Sequence, residues 1–248
     1  MIFYTFASIN KKMKLRLILF SSVILIGAII AGFMIKNKSA NQDTLEYRAK
    51  IDNKLKVINP YDVNTKLVDS SILEIRSGHT VLDFEFINQY GDTITEKDVR
   101  NNIYVVNYFF TTCGSICPVM NTQMKRVQTE FKTDDWLKLL SHTVWPEGDS
   151  VPKLYEYALS YDAIPTKWWF LTGSKKDLYT IARKSYLIVP DENDPDYEHG
   201  EESDFIHTEN FVLVDADQRI RGMYDGTNVD EVSDLIKDIY DLKREYGF

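Results

Sequence analysis

Residues 103–110, Ile-Tyr-Val-Val-Asn-Tyr-Phe-Phe, form an apolar run of β-favouring side chains that leads directly into Thr111-Thr112-Cys113-Gly114-Ser115-Ile116-Cys117-Pro118. Past this point Met120, Met124, Val127 and Phe131 recur at near-helical spacing. The chain has 2 cysteines, and both fall in this turn. The pattern predicts a buried strand that becomes a helix at the cysteines. Pro118 suits the first turn of such a helix, where its missing N–H costs nothing. If the turn is helical, Cys113 and Cys117 share one face, and their sulfurs can join in a disulfide or grip one metal ion. A helix start also favours the reactive thiolate, through its backbone N–H groups and its dipole. The alternative is a purely structural disulfide or two buried free thiols, but the loop a disulfide would close is very short and gains little from closure.

The remaining pattern builds an α/β chain around that turn. Residues 81–86 alternate well enough for a strand, and Tyr90-Gly91-Asp92 turns the chain. Thr95 with Asp98 resembles a capping box. Residues 136–144 read as a second apolar strand ending at Trp145-Pro146, and Ser150 starts a helix with Leu154, Tyr157, Ala158 and Tyr161 on one face. Residues 168–171 are a short buried strand; Ser174 with Asp177 opens the next helix, through Ile181 to Tyr186. Residues 211–214 and 219–224 read as a hairpin around Ala216-Asp217-Gln218. Asn228 with Glu231 caps a last helix whose Val232, Leu235, Ile236, Ile239 and Tyr240 face inward. Strand–helix alternation implies a parallel sheet, to which the hairpin adds antiparallel strands. With two cysteines at a strand-to-helix turn, the expectation is a thioredoxin-like central sheet with flanking helices. That step is fold analogy and leaves the chemistry open.

Residues 17–35 are apolar apart from Ser21, Ser22 and small residues, long enough to cross a bilayer. Lys11, Lys12, Lys14 and Arg16 precede them, and Lys36 and Lys38 follow. The larger basic cluster places the N-terminus in the cytoplasm. A cleaved signal peptide fits less well, because its apolar core is shorter and ends in a small-residue site. The expected organisation is a cytoplasmic stub and transmembrane helix over 1–36, a polar tether over 37–78 that packs partly on the domain near residues 72–75, and a globular domain over 79–248. The domain then sits on the periplasmic side of the cell membrane, where two thiols can oxidise. A net charge of -8 excludes a nucleic-acid footprint.

There are 4 histidines. His79, at the start of the domain, and His142, within a strand, read as structural. His199 lies in the carboxylate-rich stretch 191–204, read as a solvated loop. His207 stands just ahead of the buried strand 211–214. In a parallel α/β sheet, central strands bring their ends near the rim of the Cys113 turn, which makes His207 the best candidate to face the two sulfurs. Two thiolates and an imidazole suit copper in either oxidation state. Zinc accepts the same ligands with a water.

These residues together resemble the Sco (SenC/PrrC) family of copper-binding cytochrome c oxidase assembly proteins. The resemblance lies in Phe110-Thr111-Thr112-Cys113-Gly114-Ser115-Ile116-Cys117-Pro118, in Asp83-Phe84 through Asn88-Gln89-Tyr90-Gly91, in Ser141 through Asp149, in Trp169 through Gly173, and in His207-Thr208 before Phe211-Val212-Leu213-Val214-Asp215. It implies Cys113, Cys117 and His207 as ligands of a copper ion, Cu(I) or Cu(II). It implies a membrane-anchored metallochaperone that serves the binuclear copper centre of cytochrome c oxidase, or reduces that centre's cysteines. Implied partners are the copper-centre subunit and a copper donor or thiol reductant. The chain departs from the family at Gly114-Ser115, usually Pro-Asp, at Trp145, usually Asp, and at Ile206, usually acidic.

Two other activities compete. An extracytoplasmic thiol–disulfide oxidoreductase is the nearer one, although a thioredoxin-type reductase has two residues between its cysteines and this chain has Gly114, Ser115 and Ile116. Such a reductase also carries a proline opening the facing strand, whereas Ile164-Pro165-Thr166 precedes an earlier strand in the expected order. A thiol peroxidase needs an arginine at its nucleophile, and the sequence places none there. The expectation is therefore a binding protein rather than an enzyme.

Overall fold

The computed structural model describes residues 54–65, 68–188 and 208–248. They belong to one compact unit, Lys54–Phe248. In chain order it runs β1 (Glu85–Ile87), β2 (Thr93–Thr95), α1 (Glu96–Val99), β3 (Ile103–Phe109), α2 (Ile116–Glu130), β4 (Leu137–Thr143), α3 (Val151–Ser160), β5 (Trp168–Leu171), α4 (Lys175–Lys184), β6 (Asn210–Val214), β7 (Ile220–Asp225) and α5 (Val229–Tyr246).

Every residue of β3 is buried, as a strand covered on both faces requires. It lies at the middle of a sheet ordered β5-β4-β3-β6-β7. The pairs β3–β4 and β4–β5 are parallel, while β3–β6 and β6–β7 are antiparallel. Because side chains alternate along a strand, Tyr104, Val106 and Tyr108 enter one core with Phe86, Leu178, Ile181 and Ala182. Ile103, Val105 and Phe109 enter the other, against Met120, Met124 and Val127 of α2 and Val232, Leu235 and Ile239 of α5. The result is a three-layer α/β fold with helices on both faces.

Several boundaries follow local chemistry. Ser174 Oγ accepts the Asp177 N–H at 3.1 Å, and Asn228 Oδ1 accepts the Asp230 N–H at 3.0 Å. At Thr95 the cap works from the other side, with Asp98 accepting the Thr95 N–H at 2.7 Å. The strand expected over 81–86 is confined to Glu85–Ile87. Leu82 and Asp83 are both exposed, which breaks the alternation, and only the later residues pair with β2. In the last helix Leu242 is fully buried with Val232, Leu235 and Ile239, while Ile236 and Tyr240 are partly covered.

Ile58 bridges to Ile220 on the edge strand β7, and Val63, Ile72 and Leu73 pack on the first core. Among the described residues no helix is long and apolar enough to cross a membrane. The apolar stretch 17–35 lies outside them.

Candidate metal centre

The strand β3 ends at Phe109, and four residues later the chain reaches Cys113, whose N–H returns to Phe110 O at 3.2 Å. Cys113 stands in the loop, not in the helix. Cys117 is the second residue of α2, and Pro118 follows it in the first turn. A shared helical face therefore does not bring the cysteines together; the loop folds Cys113 over the helix start. Both are free thiols, Cys113 partly exposed and Cys117 buried.

Their electrostatics differ accordingly. Burial works against a charged Cys113, but the Cys117 thiol and the backbone N–H groups of Ser115 and Cys117 outweigh it and hold the Cys113 thiol below its ordinary value. Burial pushes the Cys117 thiol up to about 12, with the neighbouring Cys113 acting in the same direction. One thiol is thus accessible and easily ionised, the other sheltered and protonated. The Cys113 Sγ also lies 3.6 Å from Ser115 Oγ.

Two structures that sequence reasoning did not isolate support this turn. Asp149, at the end of the turn after β4, accepts from Thr111 and Thr143 and so ties the Cys113 loop to the sheet rim. The signal for it was a carboxylate placed just after an apolar strand at the rim where the cysteines sit. On the helix side, Asn121 Nδ2 donates to Tyr157 Oη at 2.9 Å. The Tyr157 phenol is held well above its ordinary range, first by burial, then by Tyr161, with a contribution from Cys117.

The histidines separate clearly. His79 is buried with Nε2 3.0 Å from Ser185 O, and His142 is buried in β4 against Tyr108 and Phe86. Both are structural, as expected. His199 and His207 lie outside the described residues. The expectation that His207 nears the rim through a parallel strand needs correction in its reasoning. Strand β6 runs antiparallel to β3, so it is the start of β6, led by Thr208 and Glu209, that lies at the rim where β3 ends.

The donor chemistry fits a soft metal ion, since two neighbouring sulfurs at a loop and helix start suit Cu(I) better than a hard cation. Among the described residues no set of three His, Cys, Asp or Glu side chains is placed to hold a metal, so the thiols supply two donors.

A family model described as SCO1/SenC matches residues 74–243. The chain belongs to the SCO1/SenC family. It is 28% identical over 163 residues to the SCO1 protein homolog of Bacillus subtilis, covering 65% of this chain and 81% of that protein. A solved structure of BsSco, described as having a disulfide switch and as a member of the Sco family of cytochrome c oxidase assembly proteins, is 27% identical with a TM-score of 0.56, covering 66% of this chain and 93% of the other. Arabidopsis thaliana ScoI, solved with copper bound, shares the fold at 20% identity and a TM-score of 0.52, covering 67% and 99%. The thioredoxin-like α/β architecture of Sco proteins is therefore the fold of this chain. Of the departures noted in the sequence, Ile206 lies outside the described residues. Gly114 and Ser115 are both exposed, and a Cβ on Gly114 would meet nothing within 4 Å among the described residues. Trp145 lies against Gly148 in the turn that delivers Asp149.

Proposed function

We propose that this Sco-family chain is a membrane-anchored copper-binding metallochaperone for assembly of the binuclear copper centre of cytochrome c oxidase. The observation that carries the reading is the Cys113–Cys117 pair, set at the loop and first turn of α2 with one thiol accessible and one sheltered. In the proposed site Cys113, Cys117 and His207 hold one copper ion. Two thiolates offer soft donors to Cu(I), and an imidazole adds a ligand suited to Cu(II). The chain's own part is to hold its sulfurs close together, to keep Cys117 from water, and to leave Cys113 reachable by a partner.

The anchor is the apolar stretch 17–35, with the globular domain on the periplasmic side of the cell membrane, in keeping with the basic residues that precede the stretch. The proposed partners are the copper-centre subunit of cytochrome c oxidase and a copper donor or thiol reductant, with no nucleic-acid role.

A second reading, an extracytoplasmic thiol–disulfide oxidoreductase, is favoured by the same asymmetry. An accessible, easily ionised Cys113 suits attack on a disulfide, and a sheltered Cys117 suits resolution. Metal stoichiometry separates the two. The reduced soluble domain should bind one Cu(I), and Cys113→Ser or Cys117→Ser should each abolish tight binding. His207→Ala should weaken Cu(II) binding and shift its absorption band, whereas His199→Ala should leave it intact. Binding of no copper by the reduced wild-type domain, with catalysed thiol exchange instead, selects the second reading. A reporter fused after Phe248 should be active only outside the cytoplasm; activity inside overturns the anchor's orientation.

A further inference from the structure

Asp149 is sealed from solvent. Among the described residues, the bonds it accepts come from uncharged groups. The Thr111 N–H reaches both carboxylate oxygens at 3.2 Å, Thr111 Oγ1 donates to Oδ1 at 2.5 Å, and Thr143 Oγ1 donates to Oδ2 at 2.5 Å. A buried acid is costly unless its oxygens are fully used, and among the described residues these serve Thr111 and Thr143. Thr143 is the last residue of β4, and Thr111 stands two residues after β3 and two before Cys113. Asp149 is itself fixed by the turn that carries it, where its N–H returns to Trp145 O at 2.9 Å. The acid thus fastens the start of the cysteine loop to the rim of the sheet.

We infer that Asp149 is a positioning residue for Cys113. By fixing Thr111 it sets where the loop-borne Cys113 thiol stands relative to Cys117, which α2 holds independently. The ease with which two groups on one chain close a ring depends on how far their geometry is pre-set. The ring is either the S–S bond or a chelate on one soft metal ion. This deepens the reading above and rests on the cysteine pair being the working site. It does not rest on copper being the cargo.

The test is copper-free equilibration of the full domain with glutathione and glutathione disulfide. In that reaction the two protein thiols lose two electrons and two protons to form the Cys113–Cys117 bond, and one glutathione disulfide takes them to become two glutathiones. Asp149→Asn removes the charge, and Thr111→Val removes one donor while keeping the acid and its bond to Thr143. Each should lower the equilibrium constant for the protein disulfide by about tenfold, about 30 mV in potential. Glu147→Gln, on the exposed part of the same turn, should leave it unchanged. Thermal melts report folding; if Asp149→Asn does not fold, Thr111→Val carries the test. Loss of stability with an unmoved equilibrium constant makes Asp149 merely structural and overturns the inference, as does a wild-type pair that forms no intramolecular disulfide. A parallel Cu(I) titration keeps the two readings apart. Variants that move the disulfide equilibrium in a protein that binds no Cu(I) uphold Asp149 and sink the copper reading. An unmoved equilibrium in a protein that binds Cu(I) does the reverse.

Discussion

Asn107 donates through Nδ2 to Asn121 Oδ1 at 3.2 Å, joining the central strand to the cysteine-bearing helix with both side chains wholly buried. The bond is one step in a directed chain. Trp168 Nε1 donates to Ser141 Oγ at 2.8 Å, Ser141 Oγ donates to Asn107 Oδ1 at 2.6 Å, and Asn121 Nδ2 donates to Tyr157 Oη at 2.9 Å. Each amide uses both its oxygen and its nitrogen, so no member can be removed without orphaning a neighbour. Asn121→Ala should cost about 2–4 kcal/mol, since an unsatisfied buried polar group costs about 1–3 kcal/mol and a cavity adds to it. Urea unfolding of Asn121→Ala, Asn107→Ala and the double variant checks this. The double variant should lose clearly less than the sum, because the two side chains share a bond.

What the sequence made legible was local. The 103–110 run marks a buried strand, which β3 forms over Ile103–Phe109, and the Met120-Met124-Val127-Phe131 spacing marks the helix behind it. Ser174, Asn228 and the 168–171 run mark their element boundaries because caps and short apolar runs act within a few residues. What stayed hidden was non-local. The hairpin adds antiparallel strands as expected, but no pattern within residues 210–214 announces that β6 pairs with the central strand β3. Asp149 and the Asn107–Asn121 bond depend on which strand ends meet at the rim. The strand expected over 81–86 is shorter in the structure because, among the described residues, Leu82 and Asp83 have no partner strand, although Phe84 and Phe86 are buried. His207 and the stretch 17–35 fall outside the described residues.

Asp215 should govern part of the acid limb of stability. Burial opposes its charge, but hydrogen bonds from Arg221 and Arg219 outweigh it and hold the carboxyl below its ordinary value of 3.8. A depressed folded value means that its contribution is complete above the unfolded value and is lost as pH falls through the folded one. Asp215→Asn should therefore flatten the stability profile below about pH 4. At neutral pH it should cost about 3 kcal/mol, the lower end for a broken buried pair. Arg221 is paired to Asp215 at 2.8 Å with only 1% of its side chain exposed, but Glu245, at 2.7 Å, remains to hold it. Denaturation at a series of pH values measures both effects.

His142 works in a higher window. Its ring stacks on Tyr108 at 5.2 Å and meets Phe86 edge-on at 5.2 Å, and neither nitrogen has a hydrogen-bond partner among the described residues. Burial lowers it to about 3 from 6.5. The folded protein then keeps a neutral imidazole while the unfolded chain takes up a proton, so stability falls as pH drops from about 6.5 to about 3. His142→Phe should remove that slope and leave stability at neutral pH equal or higher, because two unsatisfied nitrogens leave the core. A pH series of unfolding free energies, compared with wild type, decides it. A slope that persists between these values assigns the titration elsewhere.

Gly148 has no room for a side chain, because a Cβ built there would lie 2.4 Å from the Trp145 ring. The contact is set by the turn itself, since the N–H groups of Gly148 and Asp149 both return to Trp145 O, at 3.0 and 2.9 Å. The missing side chain three residues on makes space for the Trp145 indole. Gly148→Ala must displace either the ring or the turn, at a cost of about 1–3 kcal/mol for overpacking. Displacing the ring should change the Trp145 contribution to fluorescence. Displacing the turn should move Asp149 and with it Thr111, so the rate at which iodoacetamide alkylates Cys113 should change as well. Trp145→Ala in the same chain removes the obstacle. The double variant should then lose less stability than the two single ones added together, and its Cys113 should react at close to the rate of Trp145→Ala alone. Strict additivity would mean that Gly148 is required for the backbone of the turn and not for the ring it faces.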